Sequence, residues 1–261
     1  MAFMRNLKEY LRKSFLLGWK LADRPRVFYY HLKPFLSKTG VVRFSNRLLY
    51  LDVKGEPLYF RDNWGDVRSI SSVFENDYAI EGCKVFVDVG SNNGLIARHV
   101  RMSSPSCKLF CFEPLKIAAA ICQLNNPDAT VVSAAVGSEP GSIEMLVDQD
   151  SIMASRISYD YKQKTKRFDV ITLDGFFRDM PDAIDVMKID VEGSEVDVIK
   201  GAKKTLSRTS TVIAEIHSDD LLTKFSRIMS GYGFIESSKK KINDGLFIVI
   251  WSNPSYKAVK A

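Results

Sequence analysis

The sequence predicts an α/β fold on a doubly wound, mostly parallel sheet of Rossmann-like type, and three observations carry that prediction. From Cys83 onward, apolar strand segments alternate with helix-length amphipathic ones, the order that makes parallel strands with crossover helices on both faces. Strand segments such as Val85-Phe86-Val87 are apolar without alternation, as expected where both faces are covered. The first of them runs into Gly90, and a helical segment follows Gly94, the strand–turn–helix unit that opens such sheets.

The elements follow in order. Strand Lys84–Val89 precedes a helix at Leu95–Met102, and strand Lys108–Phe112 precedes a helix at Lys116–Leu124. Strand Thr130–Ala135 leads to a hairpin-like Gly141–Val147, a loop rich in Ser and Asp, and a strand at Phe168–Leu173. Strand Val186–Val191 precedes a helix at Glu195–Leu206, and strand Val212–Ile216 a helix at Leu221–Ser230. Phe234–Ser237 and Gly245–Trp251 then read as a strand pair around a charged turn, which closes the sheet with an antiparallel hairpin. This domain spans residues 80–261. Residues 40–79 read as a small lead-in: strands at Val41–Phe44 and Leu48–Val53, then a helix around Val67–Asn76.

Composition excludes several classes. The 261 residues are 46% apolar and 26% charged, the balance of a globular protein. No apolar run reaches the ~18–20 residues that a spanning helix needs. Cys83, Cys107, Cys111 and Cys122 form no C-x-x-C pair and read as buried thiols in a reducing, cytoplasmic compartment. Residues 1–39 carry nine basic and two acidic side chains, a balance of +7; the whole chain carries +6, so residues 40–261 sum to −1. In this basic arm Phe3, Leu7, Tyr10, Leu11 and Phe15 recur at helical spacing. Two readings stand for it: docking on its own body or on a twin subunit in a homodimer, and peripheral contact with an anionic membrane surface.

The turn Asp88-Val89-Gly90-Ser91-Asn92-Asn93-Gly94 offers a glycine for close backbone approach and a helix N-terminus with free amides for a polar ligand. Glu113 ends the next strand 23 residues after Gly90, where a carboxylate accepts hydrogen bonds from both ribose hydroxyls of a nucleoside. A nicotinamide fold expects G-x-G-x-x-G. Asn92 stands where the second glycine would, which favours a smaller zwitterion, S-adenosylmethionine, with Asp88 facing its amino group and sulfonium.

The chain here resembles the FkbM-type S-adenosylmethionine-dependent methyltransferases. The resemblance rests on Phe86–Gly94, Phe112-Glu113-Pro114, Ala134-Ala135-Val136-Gly137, Ile171–Asp174, Met187–Glu195 and Glu215-Ile216-His217, and covers about residues 75–220. It implies a class I methyltransferase fold and methylation of a hydroxyl oxygen on a sugar, glycolipid or secondary metabolite. It also implies cofactor contacts at Asp88, Gly90, Ser91, Asn92, Asn93, Gly94, Glu113, Pro114, Ala134, Ala135 and Asp190.

Lys188, Asp190 and Glu192 fall at i, i+2 and i+4, one face of a strand, and are expensive unless paired or placed at the strand's carboxyl end. An alcohol needs a base or a metal to become a nucleophile. His217, with an ordinary pKa near ~6.5, suits a base, and Asp190, Glu192 and Lys188 complete the expected catalytic set. Alternatively Asp190, Glu215 and His217 hold Mg²⁺ or Mn²⁺. Ser194-x-x-Asp197 reads as a helix cap, and Glu195 as an acid favoured by the helix dipole. The Asp148–Tyr161 stretch, with Ser151, Met153, Ser155, Arg156 and Tyr159, reads as a loop contacting the acceptor. Rival readings are a nucleic-acid methyltransferase, which the near-neutral body disfavours, a dehydrogenase, which Asn92 disfavours, and a non-catalytic nucleoside-binding module. Nucleic acid is therefore not an expected partner.

Overall fold

The computed structural model describes residues 24–37, 43, 45, 47–53, 55–73, 80–147, 156–157, 165–180 and 183–256. The chain separates into two compact units, one of residues 1–77 with 149–152 and one of 78–148 with 153–261. The expected arm and lead-in both fall in the first. Most of the arm, residues 1–23, lies outside the described residues, as do Val41, Val42 and Phe44 of the first expected strand.

In the first unit, helix α1 (Arg24–Ser37) is followed by the antiparallel hairpin of β1 (Leu48–Val53) and β2 (Glu56–Arg61), then by helix α2 (Trp64–Val73). Leu51, Leu58 and Phe60 are buried on one face of the hairpin. Lys33, counted above with the basic arm, is buried and paired with Asp62, whose other oxygen accepts the Ser45 amide and hydroxyl. Arg61 grips Asp66 through two nitrogens at 3.0 and 2.7 Å.

The second unit carries the expected sheet. Its elements are β3 (Val85–Val89), α3 (Leu95–Ser103), β4 (Lys108–Phe112), α4 (Lys116–Asn125), β5 (Thr130–Val132), β6 (Ala135–Val136), β7 (Gly141–Leu146), β8 (Arg156–Ile157) and β9 (Thr165–Ile171). Then come α5 (Leu173–Phe176), β10 (Ile184–Ile189), α6 (Glu195–Lys200), α7 (Lys203–Leu206), β11 (Thr209–Ile216), α8 (Asp219–Gly231), β12 (Ile235–Asn243) and β13 (Leu246–Ser252).

Among the described residues, seven strands form the main sheet in the order β12-β13-β11-β10-β3-β4-β5. The pairs from β11 through β5 are parallel, while β13 pairs antiparallel with β11 and with β12, which is the edge. Every residue of β3 is buried, Asp88 included. A second sheet, β6-β9-β7-β8, gathers the hairpin region. The expected strand Thr130–Ala135 is therefore two strands in two sheets, the chain turning where the Ala134 amide donates to the Val132 carbonyl.

The expected helix Glu195–Leu206 also divides in two. At Gly201 a Cβ would lie 2.0 Å from the Gly137 carbonyl oxygen, so the chain passes that carbonyl at a distance only glycine allows. Ser218 caps α8 by accepting the Leu221 amide at 3.1 Å. No helix among the described residues is long and apolar enough to cross a membrane.

Candidate active site

The carboxyl ends of β3, β4, β10 and β11 converge, and each contributes part of the site. The turn after β3 is tied to β4, since the amides of Gly90 and Ser91 both donate to the Phe112 carbonyl, at 2.9 and 3.0 Å. It is also tied to β10. The Asp190 amide donates to the Val89 carbonyl at 2.9 Å, and a Cβ on Gly90, at φ 79°, would sit 1.8 Å from the Asp190 carbonyl oxygen. Gly94 backs onto Cys122 and Asn126 at the α4 end.

Glu113 lies against this turn. Its carboxylate accepts the Asn92 amide at 2.9 Å and the Leu115 amide at 2.8 Å, leaving each oxygen one lone pair for a ribose hydroxyl. Burial lifts its pKa to about 7 in spite of those two amides. The Glu113 amide and the Ala134 amide share the Val132 carbonyl, which puts Pro114, Ala134 and Ala135 on the same rim. Around the turn, Ser91 Oγ, Asn92 Oδ1 and Asn93 Nδ2 are buried atoms with no hydrogen-bond partner among the described residues. Orphaned polar atoms of both kinds beside the Glu113 carboxylate fit an adenosyl amino acid.

Asp88 is placed differently from the sequence expectation. It is fully buried, and the cation beside it is Lys188, 3.4 Å away. Burial raises its pKa and Lys188 lowers it. Lys188 also donates to the Gly90 carbonyl at 3.0 Å and pairs with Asp190 at 3.2 Å, so one ammonium ties the β3 turn to the β10 turn.

Strand β10 stops at Ile189. Lys188 alone of the i, i+2, i+4 set stands on the strand, while Asp190 and Glu192 sit on the turn, where Glu192 has φ 54° and Gly193 φ 109°. That turn swings Glu192 towards β11. His217 follows β11, and its Nε2 lies 3.6 Å from Glu192 Oε2, 3.9 Å from Asp190 Oδ1 and 3.9 Å from Glu215 Oε1.

Sequence reasoning missed Glu195. It is fully buried, and its Oε1 accepts the Gly193 amide at 2.9 Å and meets His217 Nδ1 at 2.8 Å. Its place in the first helical turn hid this, because the dipole reading explained an acid there without a partner. Ser194 holds the cap position of α6 but makes no side-chain capping bond. Burial pulls the His217 imidazole down, yet the Glu195 hydrogen bond and the charges of Asp190, Glu195 and Glu192 overcome it and hold the pKa at about 9, well above the ~6.5 of an isolated imidazole. Burial, then the charge of Asp190, lifts Glu215 to about 7. Of the expected acceptor loop, Arg156–Ile157 form β8 against β7; Ser151, Met153, Ser155 and Tyr159 lie outside the described residues.

A parallel sheet closed by an antiparallel hairpin, with a glycine turn and a following acid at its strand ends, defines a class I methyltransferase domain. Comparison with known proteins makes this specific. The description "Methyltransferase FkbM domain" matches residues 88–235, and the chain belongs to the FkbM methyltransferase family. A curated relative, 2-O-methyltransferase NoeI of Sinorhizobium fredii (strain NBRC 101917 / NGR234), is 29% identical over a 157-residue alignment that covers 52% of this chain and 65% of the relative. The match thus spans less than two thirds of that relative's length. Among solved structures, the Methanococcus jannaschii fibrillarin pre-rRNA processing protein is 10% identical at a TM-score of 0.48, covering 82% of this chain and 84% of that one. M. capricolum TrmK in complex with S-adenosyl-homocysteine is 9% identical at a TM-score of 0.46, covering 74% and 71%.

Proposed function

We propose that the protein transfers a methyl group from S-adenosylmethionine to a hydroxyl oxygen of a sugar, glycolipid or secondary metabolite. One observation carries this reading: the Gly90 turn and the rim of Asp190, Glu192, Glu215 and His217 are joined directly, by the Asp190 amide on the Val89 carbonyl and by Lys188 between them. Bound at the turn, the donor supplies an electrophilic methyl on a positively charged sulfur. Glu113 and the orphaned atoms of Ser91, Asn92 and Asn93 fix the adenosyl amino acid. The rim lies where an acceptor hydroxyl would approach. As its oxygen bonds to the methyl carbon, the carbon–sulfur bond breaks, the electron pair stays on a neutral thioether, and the hydroxyl proton passes to the rim. The family and the relative named as a 2-O-methyltransferase support oxygen as the accepting atom. The near-neutral body and the four buried free thiols fit a small acceptor handled in a reducing compartment.

Calorimetry of the full chain with S-adenosylmethionine and S-adenosylhomocysteine tests the donor site. Uptake of both is expected, and none of either would refute the reading. A screen of glycan and lipid-linked sugar acceptors with radiolabelled donor then tests the acceptor class. Label on oxygen supports it, and label found only on nucleic acid or protein overturns it.

A further inference from the structure

We propose that Asp190, Glu192 and His217 form a binding site for a divalent transition-metal cation of the Mn²⁺ type. One ligand atom from each lies within 4.8 Å of the other two. The separations of Nε2 from Glu192 and Asp190, 3.6 and 3.9 Å, are too long for hydrogen bonds. Two ligands each held about 2.1–2.2 Å from one ion stand roughly 3.3–3.8 Å apart at open angles. The 3.6 Å separation falls within that range and the 3.9 Å one lies just above it, so a small movement closes the three groups on one ion.

A second, independent observation points the same way. The fully buried Glu195 holds Nδ1 at 2.8 Å and so aims Nε2 at the two carboxylates, the arrangement that orients metal-bound histidines. Its other oxygen, Oε2, is buried with no hydrogen-bond partner among the described residues.

An imidazole with two carboxylates suits Mn²⁺, Fe²⁺ or Zn²⁺ better than Mg²⁺ or Ca²⁺, which favour all-oxygen shells. Glu192 takes the place expected of Glu215. Only the role of the ion rests on the methyltransfer reading: it would acidify a hydroxyl placed against it.

The test is electron paramagnetic resonance of Mn²⁺ titrated into the EDTA-treated full chain. One equivalent of free-ion signal should disappear, Glu192→Gln and His217→Ala should each weaken binding at least ten-fold, and Asp197→Asn, exposed and outside the set, should bind as the parent does. If His217→Ala fails to fold, Glu192→Gln, on the partly exposed turn, decides alone. No uptake by the parent at millimolar Mn²⁺, or parent-like affinity in both ligand variants, overturns the site. Calorimetry with S-adenosylmethionine on the metal-free chain reads the donor site separately, so the two readings fail independently.

Discussion

Replacing Glu113 with glutamine removes a titration that the structure couples to both folding and donor binding. Glu113 is 5% exposed. Burial is the largest influence on it, raising the pKa from 4.5 to about 7; the Leu115 and Asn92 amides and Lys188 pull down, and Asp88 pushes up. The folded-state pKa thus exceeds the unfolded one. The resulting stabilisation is complete below about pH 4.5 and is lost as pH rises through 7. A gap of that size corresponds to about 3 kcal/mol at 1.36 kcal/mol per unit. Urea unfolding of parent and Glu113→Gln from pH 4.5 to 8 isolates it, since other titrations cancel in the difference. The parent should lose about 3 kcal/mol relative to the variant across that window. On the proposed reading, ribose hydroxyls donate to the carboxylate, so S-adenosylhomocysteine should bind the parent more tightly as pH rises through 7, with no such rise in the variant. A stability difference flat across the window would refute the placement of Glu113 as a buried acid.

Gly90→Ala brings a Cβ within 1.8 Å of the Asp190 carbonyl at φ 79°. The backbone conformation alone costs about 1–2 kcal/mol, so the melting temperature should fall and donor uptake vanish in calorimetry. Lys188→Met strands Asp88, and unpairing a buried charge costs about 3–5 kcal/mol; denaturant unfolding should show at least half of that recovered by adding Asp88→Asn. Glu195→Gln loosens His217 and should weaken Mn²⁺ by roughly 10–100-fold while leaving donor affinity unchanged, as calorimetry would show.

The parallel sheet and the glycine turn with its neighbouring acid were legible because their causes are local: apolar runs, a glycine at a strand end, an acid after the next strand. The closing hairpin was equally readable from Gly245–Trp251. What escaped depends on contacts between segments far apart in sequence. The split of Thr130–Ala135 between two sheets is decided by pairing to β4 and β9. The break in the helix after Glu195 is decided by the Gly137 carbonyl. At the site, the i, i+2, i+4 pattern grouped Lys188, Asp190 and Glu192 correctly, but for the wrong reason. A turn brings the two acids round, and Lys188 answers Asp88 as much as Asp190. Glu195 shows the limit most clearly, because only the fold carries His217 to it across 22 positions.

Glu192 shows what the site costs the fold. At φ 54° it occupies the left-handed region, where a side chain is strained by about 1–2 kcal/mol. Nothing in the turn itself demands a glutamate, since glycine adopts that angle freely. Glu192→Gly should therefore raise stability by up to about 1.6 kcal/mol, the relieved strain less the roughly 0.4–1 kcal/mol of extra unfolded-chain entropy. The same variant should lose Mn²⁺ binding. Stability gained where function is lost is the mark of strain kept for a site. Thermal unfolding in EDTA measures the first effect and the resonance titration the second. A variant less stable than the parent in EDTA would show instead that the Glu192 side chain holds the turn together, and the strain argument would fall.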